Sequence, residues 1–281
     1  MKRNFLFLNY FIFSFVAIFA FSSCSSEDDP APDASPDEEE PTDEEPTDEE
    51  PPVSYTDYLV AHYEFDGSVE DASPNEMDGT MVGDFNEVEG INGTAIFLNE
   101  EDSVNQCGMA GGSYVQLPTI GEIWQEGFTV TAWVKFTENR KFERIIDIGN
   151  GWGEDEGVPI TFSRNDTLND IVLTSWINSD PVTNRDKGRL IAEDVIKNGE
   201  FQFFAATISP SGEMKIYVDG ELVAEKADGQ GIVNVARTNN FIGHSNYCEV
   251  DEDFRGAMDE VRLYKKNLPA EEITKIYSLG Q

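Results

Sequence analysis

Basic residues are scarce in this chain: 19 lysines and arginines stand against 55 aspartates and glutamates among 281 residues, and the formal net charge is −36 at pH 7. So acidic a surface argues against nucleic acid as a partner, because phosphates bind to basic surfaces. It argues equally against anionic lipid headgroups and strongly sulfated glycans, unless a bound cation intervenes. Neutral ligands and cations stay open, and acidic loops supply the oxygen ligands that calcium takes.

Histidine and cysteine are also rare. His62 and His244 are the only histidines, and Cys107 and Cys248 are the only cysteines after the N-terminal region, so no zinc-binding spacing is present. In an exported protein two thiols most simply form one disulfide, and we predict a bridge between Cys107 and Cys248. Two separate buried thiols are the alternative. His62 lies in a predicted strand, and we interpret it as a structural residue.

The N-terminus has the pattern of a secretory signal. Two basic residues precede an uncharged, phenylalanine-rich run over residues 5–21, which small residues and Cys24 follow. The sequence FSSC resembles a bacterial lipobox, although phenylalanine stands where leucine is usual and serine where glycine or alanine is usual. We predict a signal peptide over residues 1–23 and a lipid anchor on Cys24. An uncleaved transmembrane anchor is the alternative, because the apolar run is nearly long enough to span a bilayer.

An acidic spacer follows the predicted anchor. Residues 27–50 contain fourteen acidic residues, no basic ones and five prolines, and the unit PTDEE occurs twice. Charge repulsion and proline prevent a packed core, so we predict a disordered tether over residues 24–57. SSEDD, directly after Cys24, resembles the acidic export tag of Bacteroidetes surface lipoproteins. We therefore expect display on the outer membrane with only the lipid in contact with it; a periplasmic spacer is the alternative.

Residues 58–281 have the pattern of one all-β domain. The segment FTVTAWVKF, at 128–136, alternates apolar and polar residues as a strand does. Two further alternating segments flank Asp219-Gly220, a dipeptide that favours a tight hairpin turn. One helix is predicted at the C-terminus, where Pro269 lies in the first turn and apolar residues recur on one face.

Six segments, in this order, are similar to laminin-G-like jelly-roll domains of the concanavalin A-like lectin and glucanase superfamily: YEFDGSVEDASPNEMDG (63–79), TAIFL (94–98), YVQLP (114–118), FTVTAWVKF (128–136), IYVDGELV (216–223) and FRGAMDEVRLYKKNLPAEEI (254–273). The resemblance implies a two-sheet antiparallel jelly-roll sandwich with a short C-terminal helix. It also implies a carbohydrate-binding or adhesive module of a bacterial surface protein, often with a structural calcium.

The resemblance assigns calcium ligands to aspartates near the two ends of the domain. Asp66, in the FDG turn, and Asp259, in the MDEV run, match the family positions. Neighbouring strands of a jelly roll can bring such distant carboxylates to one ion. Asp71 and Asp78 are predicted to supply further oxygens. The alternative is that these aspartates only cap turns.

The sequence does not contain the paired carboxylates that glycoside hydrolysis requires. No predicted strand has the Glu-x-Asp-x-x-Glu spacing of related glucanases. Glu143 and Asp147 are expected to share a strand face, about 13 Å apart, and the adjacent Asp259 and Glu260 to point to opposite faces. We therefore predict a non-catalytic protein, with a diverged glycosidase or lyase as the less favoured alternative.

Loop residues carry the predicted binding site. Sugar rings stack on aromatic side chains and their hydroxyls bind planar polar groups. We interpret Trp133 and Trp124 as packing residues. The predicted carbohydrate-binding residues are Trp152, Trp176, His244, Asn246, Tyr247 and Arg255.

These patterns together favour a cell-surface lipoprotein that captures polysaccharide without cleaving it. An adhesion module that binds another surface protein is the alternative.

Overall fold

The computed structural model describes residues 54–100, 112–151, 158–176, 186–247 and 251–281. The predicted signal peptide and most of the tether lie outside these ranges, as do Cys24, Cys107, Trp152 and Cys248. The anchor, the disulfide and the role of Trp152 therefore stay predictions. Within the described ranges, no helix has the length and hydrophobicity needed to cross a bilayer.

The described residues form fifteen strands, one α-helix and a short 3-10 turn at Tyr55–Tyr58. In chain order the strands are β1 (Leu59–Tyr63), β2 (Thr80–Val82), β3 (Phe85–Glu89), β4 (Thr94–Leu98), β5 (Tyr114–Leu117), β6 (Phe128–Phe136), β7 (Arg144–Gly149), β8 (Ile160–Arg164), β9 (Ile171–Ser175), β10 (Arg189–Ala192), β11 (Gln202–Ile208), β12 (Met214–Val218), β13 (Glu221–Lys226), β14 (Asn239–Ile242) and β15 (Gly256–Tyr264). The helix α1 (Ala270–Ser278) follows the last strand.

The strands form two antiparallel sheets. The eight-stranded sheet has the order β13-β12-β11-β6-β15-β4-β3, with β1 also paired to β15. The seven-stranded sheet has the order β10-β9-β8-β7-β14-β5-β2. Strand β15 pairs with β1, β4 and β6, so the C-terminal strand lies among strands from the first half of the domain. The jelly-roll sandwich predicted from the sequence is confirmed.

Strand alternation explains how the sheets pack. Five alternate residues of β6 enter the core between the sheets: Phe128, Val130, Ala132, Val134 and Phe136. Trp133 points to the other face, where it joins Tyr264, Ile273 and Ile276 in a second apolar cluster that covers α1. Each large apolar side chain buried in this way contributes about 1.5–3 kcal/mol to stability. Helix α1 therefore seals the outer face of the eight-stranded sheet, and Trp133 is the packing residue that we predicted.

The predicted hairpin is present between β12 and β13. Asp219 and Gly220 both have positive φ, 51° and 82°, as a two-residue turn of this kind requires. Three strands were not predicted, namely β2, β3 and β10. Each of them lies at the edge of a sheet, and an edge strand needs less apolar alternation because it has one neighbour and more solvent contact.

Candidate functional site

A continuous row of cross-strand neighbours crosses the outer face of the seven-stranded sheet. Its members are Thr80, Gln116, Phe241, Asp147, Thr161, Thr174 and Arg189, one from each strand in order from β2 to β10. Their chain neighbours Ile146, Ile148, Phe162 and Leu173 enter the core, so alternation directs the row outwards. At about 4.8 Å per strand the row is about 29 Å long. We call it the cross-strand row.

A cleft of about 190 Å³ opens over strands β8 and β9 of this face. Its lining residues are Phe142, Arg144, Thr161, Val172, Thr174, Trp176, Arg189, Tyr247 and Asp251. The hydroxyls of Thr161 and Thr174 belong to the cross-strand row and form the floor. The cleft therefore combines a polar floor with aromatic and charged walls.

Trp176 and Tyr247 form the aromatic wall. Their ring centroids lie 5.8 Å apart at an interplanar angle of 76°, an edge-to-face contact. Burial raises the pKa of the Tyr247 hydroxyl to about 12, and the negative charge of Asp147 adds to the rise. The hydroxyl is thus uncharged at neutral pH and can donate a hydrogen bond. The indole Nε1 of Trp176 is buried and has no hydrogen-bond partner among the described residues.

A buried polar network holds the segment that carries Tyr247. Asp147, fully buried on β7, accepts hydrogen bonds from the backbone N of Asn246 at 3.0 Å and from its Nδ2 at 2.7 Å. Arg144 Nη2 donates to Asp251 Oδ2 at 2.5 Å, and Arg144 Nε lies 3.4 Å from Asp147 Oδ2. Ser245 Oγ donates to the same Asp251 oxygen at 2.7 Å. These charge-assisted bonds fix the loop to the strand beneath it.

The charges around the cleft balance. Arg144 and Arg189 are the basic residues of the described lining, and the carboxylates of Asp251, in the lining, and Asp147, beneath it, oppose them. Burial raises the pKa of Asp251, and the ion pair with Arg144 opposes the rise. Among the described residues, the charges around this cleft cancel, although the domain as a whole is acidic.

The structure brings only part of the predicted binding set together. Trp176 and Tyr247 contact each other in one wall of the cleft, and the buried Asn246 binds Asp147 and supports the segment that carries Tyr247. His244 lies on another part of the same sheet and contacts Asp253, with Nδ1 2.5 Å from Oδ1. Arg255 donates to Glu138 and to the backbone of residue 100. His244 and Arg255 do not line the cleft, and their part in binding stays a prediction.

Both carboxylates that we assigned first to calcium bind one hairpin turn. Asp66 Oδ1 accepts from the backbone N of Thr94 at 2.7 Å. Asp259 Oδ2 accepts from the backbone N of Ile91 at 2.6 Å and of Asn92 at 3.2 Å. The structure thus places these two distant aspartates at the turn that joins β3 to β4.

Asp259 has an unsatisfied oxygen that fits a cation. Its Oδ1 is buried and has no hydrogen-bond partner among the described residues, and burial raises the pKa of this carboxyl to about 6. A buried carboxylate oxygen without a donor is costly unless a cation compensates it. Among the described residues, no three acidic, histidine or cysteine side chains form a metal-binding group, so backbone oxygens would have to complete a calcium site.

Asp71 and Asp78 organise the loop between β1 and β2. Asp71 accepts from the backbone N of His62, Ser73 and Met77 at 2.8–2.9 Å, and Asp78 Oδ1 accepts from the backbone N of Asp71 at 3.0 Å. These contacts are those of turn-capping aspartates, the alternative considered for the pair.

Two β-bulges overturn the expected directions of four carboxylates. In β7, Arg144 pairs with Ser163 and Ile146 with Phe162, so the extra residue puts Glu143 and Asp147 on opposite faces. In β15 the pairing with β6 shifts register between Asp259 and Arg262, and Glu260, inside this shift, has a positive φ of 53°. Asn92 donates hydrogen bonds to both Asp259 and Glu260. Asp259 and Glu260 therefore point to the same turn rather than to opposite faces.

A comparison with protein families shows which family the chain belongs to. A laminin-G-like family model described as concanavalin A-like lectin/glucanases superfamily matches residues 109–274, more than half of the chain. The chain belongs to this superfamily. The resemblance drawn from six sequence segments is confirmed, and no curated protein matches the chain in sequence.

Solved structures of the superfamily fold are similar to the domain. Domain 4 of AbnA, a GH43 extracellular arabinanase from Geobacillus stearothermophilus in complex with arabinotriose, matches 78% of this chain and 98% of its own at 20% identity, with a TM-score of 0.54. The binding domain of botulinum neurotoxin DC in complex with rat synaptotagmin II matches 81% of this chain at 13% identity, with a TM-score of 0.56. A botulinum neurotoxin type C structure, described as depending on two ganglioside molecules for cell entry, has 14% identity, 80% coverage of this chain and a TM-score of 0.58. The chain spans about half the length of these neurotoxin structures, 53% and 52%. At these identities the similarity establishes the fold alone.

Several cleft residues were not predicted from the sequence. Thr161 and Thr174 alternate with the apolar core residues Phe162 and Leu173 of the same strands, and this alternation was a usable signal. Arg144, Arg189 and Asp251 gave no comparable signal, because their positions depend on the bulge in β7 and on tertiary hydrogen bonds such as that between Arg144 and Asp251.

Proposed function

We propose that this domain is a non-catalytic carbohydrate-binding module and that its sugar site is the cleft beside the aromatic wall of Trp176 and Tyr247. The observation that carries the proposal is the aromatic pair standing over the hydroxyl floor of Thr161 and Thr174. The C–H face of a sugar ring packs on an aromatic side chain, and its hydroxyls bind the polar groups around it. Of the predicted binding residues, Trp176 and Tyr247 take this role.

The size and charge of the cleft limit its ligand. At about 190 Å³ it is smaller than the roughly 300–1,000 Å³ pockets that enclose drug-sized molecules, so it suits a single sugar unit. The balance of Arg144 and Arg189 against Asp147 and Asp251 favours a neutral sugar over a strongly anionic one.

The solved neighbours support a carbohydrate ligand. The arabinanase domain was determined with arabinotriose, a second botulinum neurotoxin DC structure with SialylT, and the type C toxin is described with gangliosides. The botulinum neurotoxin DC binding domain, of which the chain matches 53%, was determined with a protein partner, synaptotagmin II. The aromatic cleft favours carbohydrate here, and a surface protein remains the alternative outcome of the test.

The hydrogen bonds of the two carboxylates near the cleft support a binding role rather than a catalytic one. Asp147 is fully buried and accepts from Asn246 and Arg144, and Asp251 is bound by Arg144 and Ser245. A catalytic acid or base must reach the bond that it acts on, whereas these groups are engaged in holding a loop.

The decisive experiment is a glycan-array screen of the purified wild-type protein, followed by titration calorimetry of the best ligand. We expect Trp176→Ala to abolish binding while the melting temperature stays close to that of the wild type. Tyr58→Ala, which removes a half-buried aromatic side chain remote from the cleft, is the matched control. A blank array from the folded wild type would reject the carbohydrate role and favour a protein ligand.

A structural calcium at the β3–β4 turn is part of the proposal. Asp259 would bind it through its unpartnered Oδ1, with Asp66 at the same turn; Asp71 and Asp78 were predicted to assist. Calcium would supply the positive charge that this buried oxygen lacks. We expect EDTA to lower the melting temperature, calcium to restore it, and Asp259→Asn to remove this response. A wild type insensitive to both reagents would reject the site.

The domain is proposed to be held at the outer surface of the outer membrane by a lipid on Cys24. The lipobox and the acidic spacer in the sequence support this location. We expect Cys24→Ala to shift the protein from the membrane fraction to the soluble fraction, and external protease to cleave the wild type on intact cells. Protection of the wild type from protease would instead indicate a periplasmic orientation.

A further inference from the structure

A second group of rings lies beside the cleft on the same sheet face. Tyr114 and His244 stack with centroids 4.2 Å apart, and Phe241 meets both of them edge-on, at 5.6 and 5.0 Å. The amide of Gln116 is exposed next to Phe241, its cross-strand neighbour. We call these four residues the aromatic platform.

The platform does not belong to the core. The inward side chains of β5 and β14 are Val115, Leu117 and Ile242, which are buried between the sheets. Tyr114, Phe241 and His244 are all partly exposed and belong to neither apolar cluster. Three partly exposed rings packed on one another form an apolar surface that packing between the sheets does not explain.

The platform and the cleft are connected by the cross-strand row. Phe241 and Gln116 stand in the same row as Thr161 and Thr174, with only Asp147 on β7 between the two groups. Strand spacing puts Phe241 about 10 Å from Thr161 and Gln116 about 19 Å from Thr174. Asp147 is fully buried beneath Asn246, so a ligand that extends from the cleft to the platform passes over Asn246.

We propose that the aromatic platform is a second sugar subsite, and that the ligand is a neutral linear glycan lying across the strands from the cleft to the platform. The inference rests on the proposed carbohydrate role of the cleft. The cleft holds about one sugar unit, so a longer chain must continue over the neighbouring strands. The platform supplies partly exposed aromatic rings that a sugar can pack against and, at Gln116, a planar amide for hydroxyls.

Charge favours a neutral chain over a polyanion. The carboxylate of Asp253 contacts His244 beside the platform, and the described residues of the platform include no arginine or lysine. The described platform residues therefore offer no permanent positive charge that would bind an anionic glycan.

The test is affinity electrophoresis of the wild type in gels that contain linear arabinan, xylan or mixed-linkage glucan, with polygalacturonan as the anionic polymer. The oligosaccharide ladder of the polymer that retards the protein is then titrated by calorimetry. The variants are Tyr114→Ala and Gln116→Ala on the platform and Trp176→Ala in the cleft. Gln125→Ala, which removes an exposed glutamine before β6, is the matched control.

We expect the platform variants to weaken binding of the polymer about tenfold, the order expected when one stacking or hydrogen-bonding contact is lost. Binding of the disaccharide should stay within about twofold of the wild type, because it occupies only the cleft. Gln116 is exposed, so its replacement tests the subsite even where Tyr114→Ala alters folding.

Three results would overturn the inference, each in a different way. Wild-type retardation that Trp176→Ala abolishes but both platform variants preserve would reject the second subsite and leave the proposed function intact. An absence of wild-type retardation in every polymer, together with a blank glycan array, would reject the carbohydrate role itself. Retardation in polygalacturonan alone would reject the neutral ligand.

Discussion

Asp147 is the residue through which the fold and the candidate site depend on each other most directly. Its side chain is fully buried beneath the cleft, and it binds both nitrogens of Asn246 and one nitrogen of Arg144. Replacing it by alanine removes the acceptor and leaves these donors facing an apolar methyl group. We predict a large loss of stability and a loss of glycan binding, because the segment carrying Tyr247 is released.

The magnitude follows from the contacts. Two bonds from Asn246, at 2.7 and 3.0 Å, are made to a charged acceptor, and such bonds contribute about 1.5–3 kcal/mol each. Removing one partner of a buried ionic group costs about 3–5 kcal/mol. Arg144 keeps Asp251 and Ser163 as partners, which limits how much the loss of its contact with Asp147 adds to the destabilisation. We therefore expect Asp147→Ala to lower the free energy of unfolding by about 3–5 kcal/mol.

Urea unfolding followed by tryptophan fluorescence measures this change. Asp147→Asn keeps the volume and one acceptor but turns an amide donor towards Asn246, so we expect an intermediate loss of about 1.5–3 kcal/mol. Asp228→Ala, at an exposed turn, should stay within about 0.5 kcal/mol of the wild type. In the double variant, Asn246→Ala should cost much less than it does alone. A loss below about 1 kcal/mol for Asp147→Ala, or full additivity with Asn246→Ala, would refute the reasoning.

Three further predictions concern other buried groups. Arg164 and Glu143 form a fully buried ion pair at 2.7 Å, so Arg164→Met should lower the unfolding free energy by about 3–5 kcal/mol in urea. The pKa of Tyr247 is about 12 in the folded protein, above its ordinary value of 10, so its contribution to folding stability is complete below pH 10 and is lost as the pH rises through 12. Ultraviolet titration should show this transition in the wild type, and Tyr247→Phe should lack it. Gly93 has φ 69°, and a Cβ there would lie 2.1 Å from Asp66 Oδ1, so Gly93→Ala should cost at least about 1–3 kcal/mol in thermal unfolding.

Each of these three has an outcome that contradicts it. If Arg164→Met were as stable as the wild type, the Glu143 carboxyl group would have to be protonated or in contact with water in the variant. An ordinary tyrosine pKa for Tyr247 would place its hydroxyl in solvent rather than against the cleft wall. A Gly93→Ala variant as stable as the wild type would show that the turn at 90–93 can move away from Asp66.

The parts of the fold that the sequence predicted are those with a periodic signal. Alternation in 128–136 identified β6, the dipeptide Asp219-Gly220 identified its hairpin, and apolar spacing after Pro269 identified α1. The edge strands were missed because solvent contact relaxes the alternation there. The bulges in β7 and β15 were missed because one extra residue changes the direction of a side chain without changing composition.

The candidate site was predictable where a residue's local surroundings indicated its role. Trp176 and Tyr247 follow strands and precede polar residues, and the structure brings them together although they are distant in the sequence. His244 and Arg255 have similar surroundings but lie elsewhere, because the loop after β14 turns back over β7 through Asn246. Their positions follow from tertiary hydrogen bonds, which local chemistry does not encode.

The site also explains how a strongly acidic domain can present a surface suited to a neutral ligand. Arg144 lies between the carboxylates of Asp147 and Asp251, and Arg189 stands at the end of the cross-strand row. Buried carboxylates next to a basic side chain exert little net field at the cleft, so hydroxyl and ring contacts decide what binds there. The floor of the cleft lies on strands whose opposite face is the core, and its walls lie on loops. Strand positions such as Thr161 are therefore constrained by packing, whereas ligand preference can change through the loops.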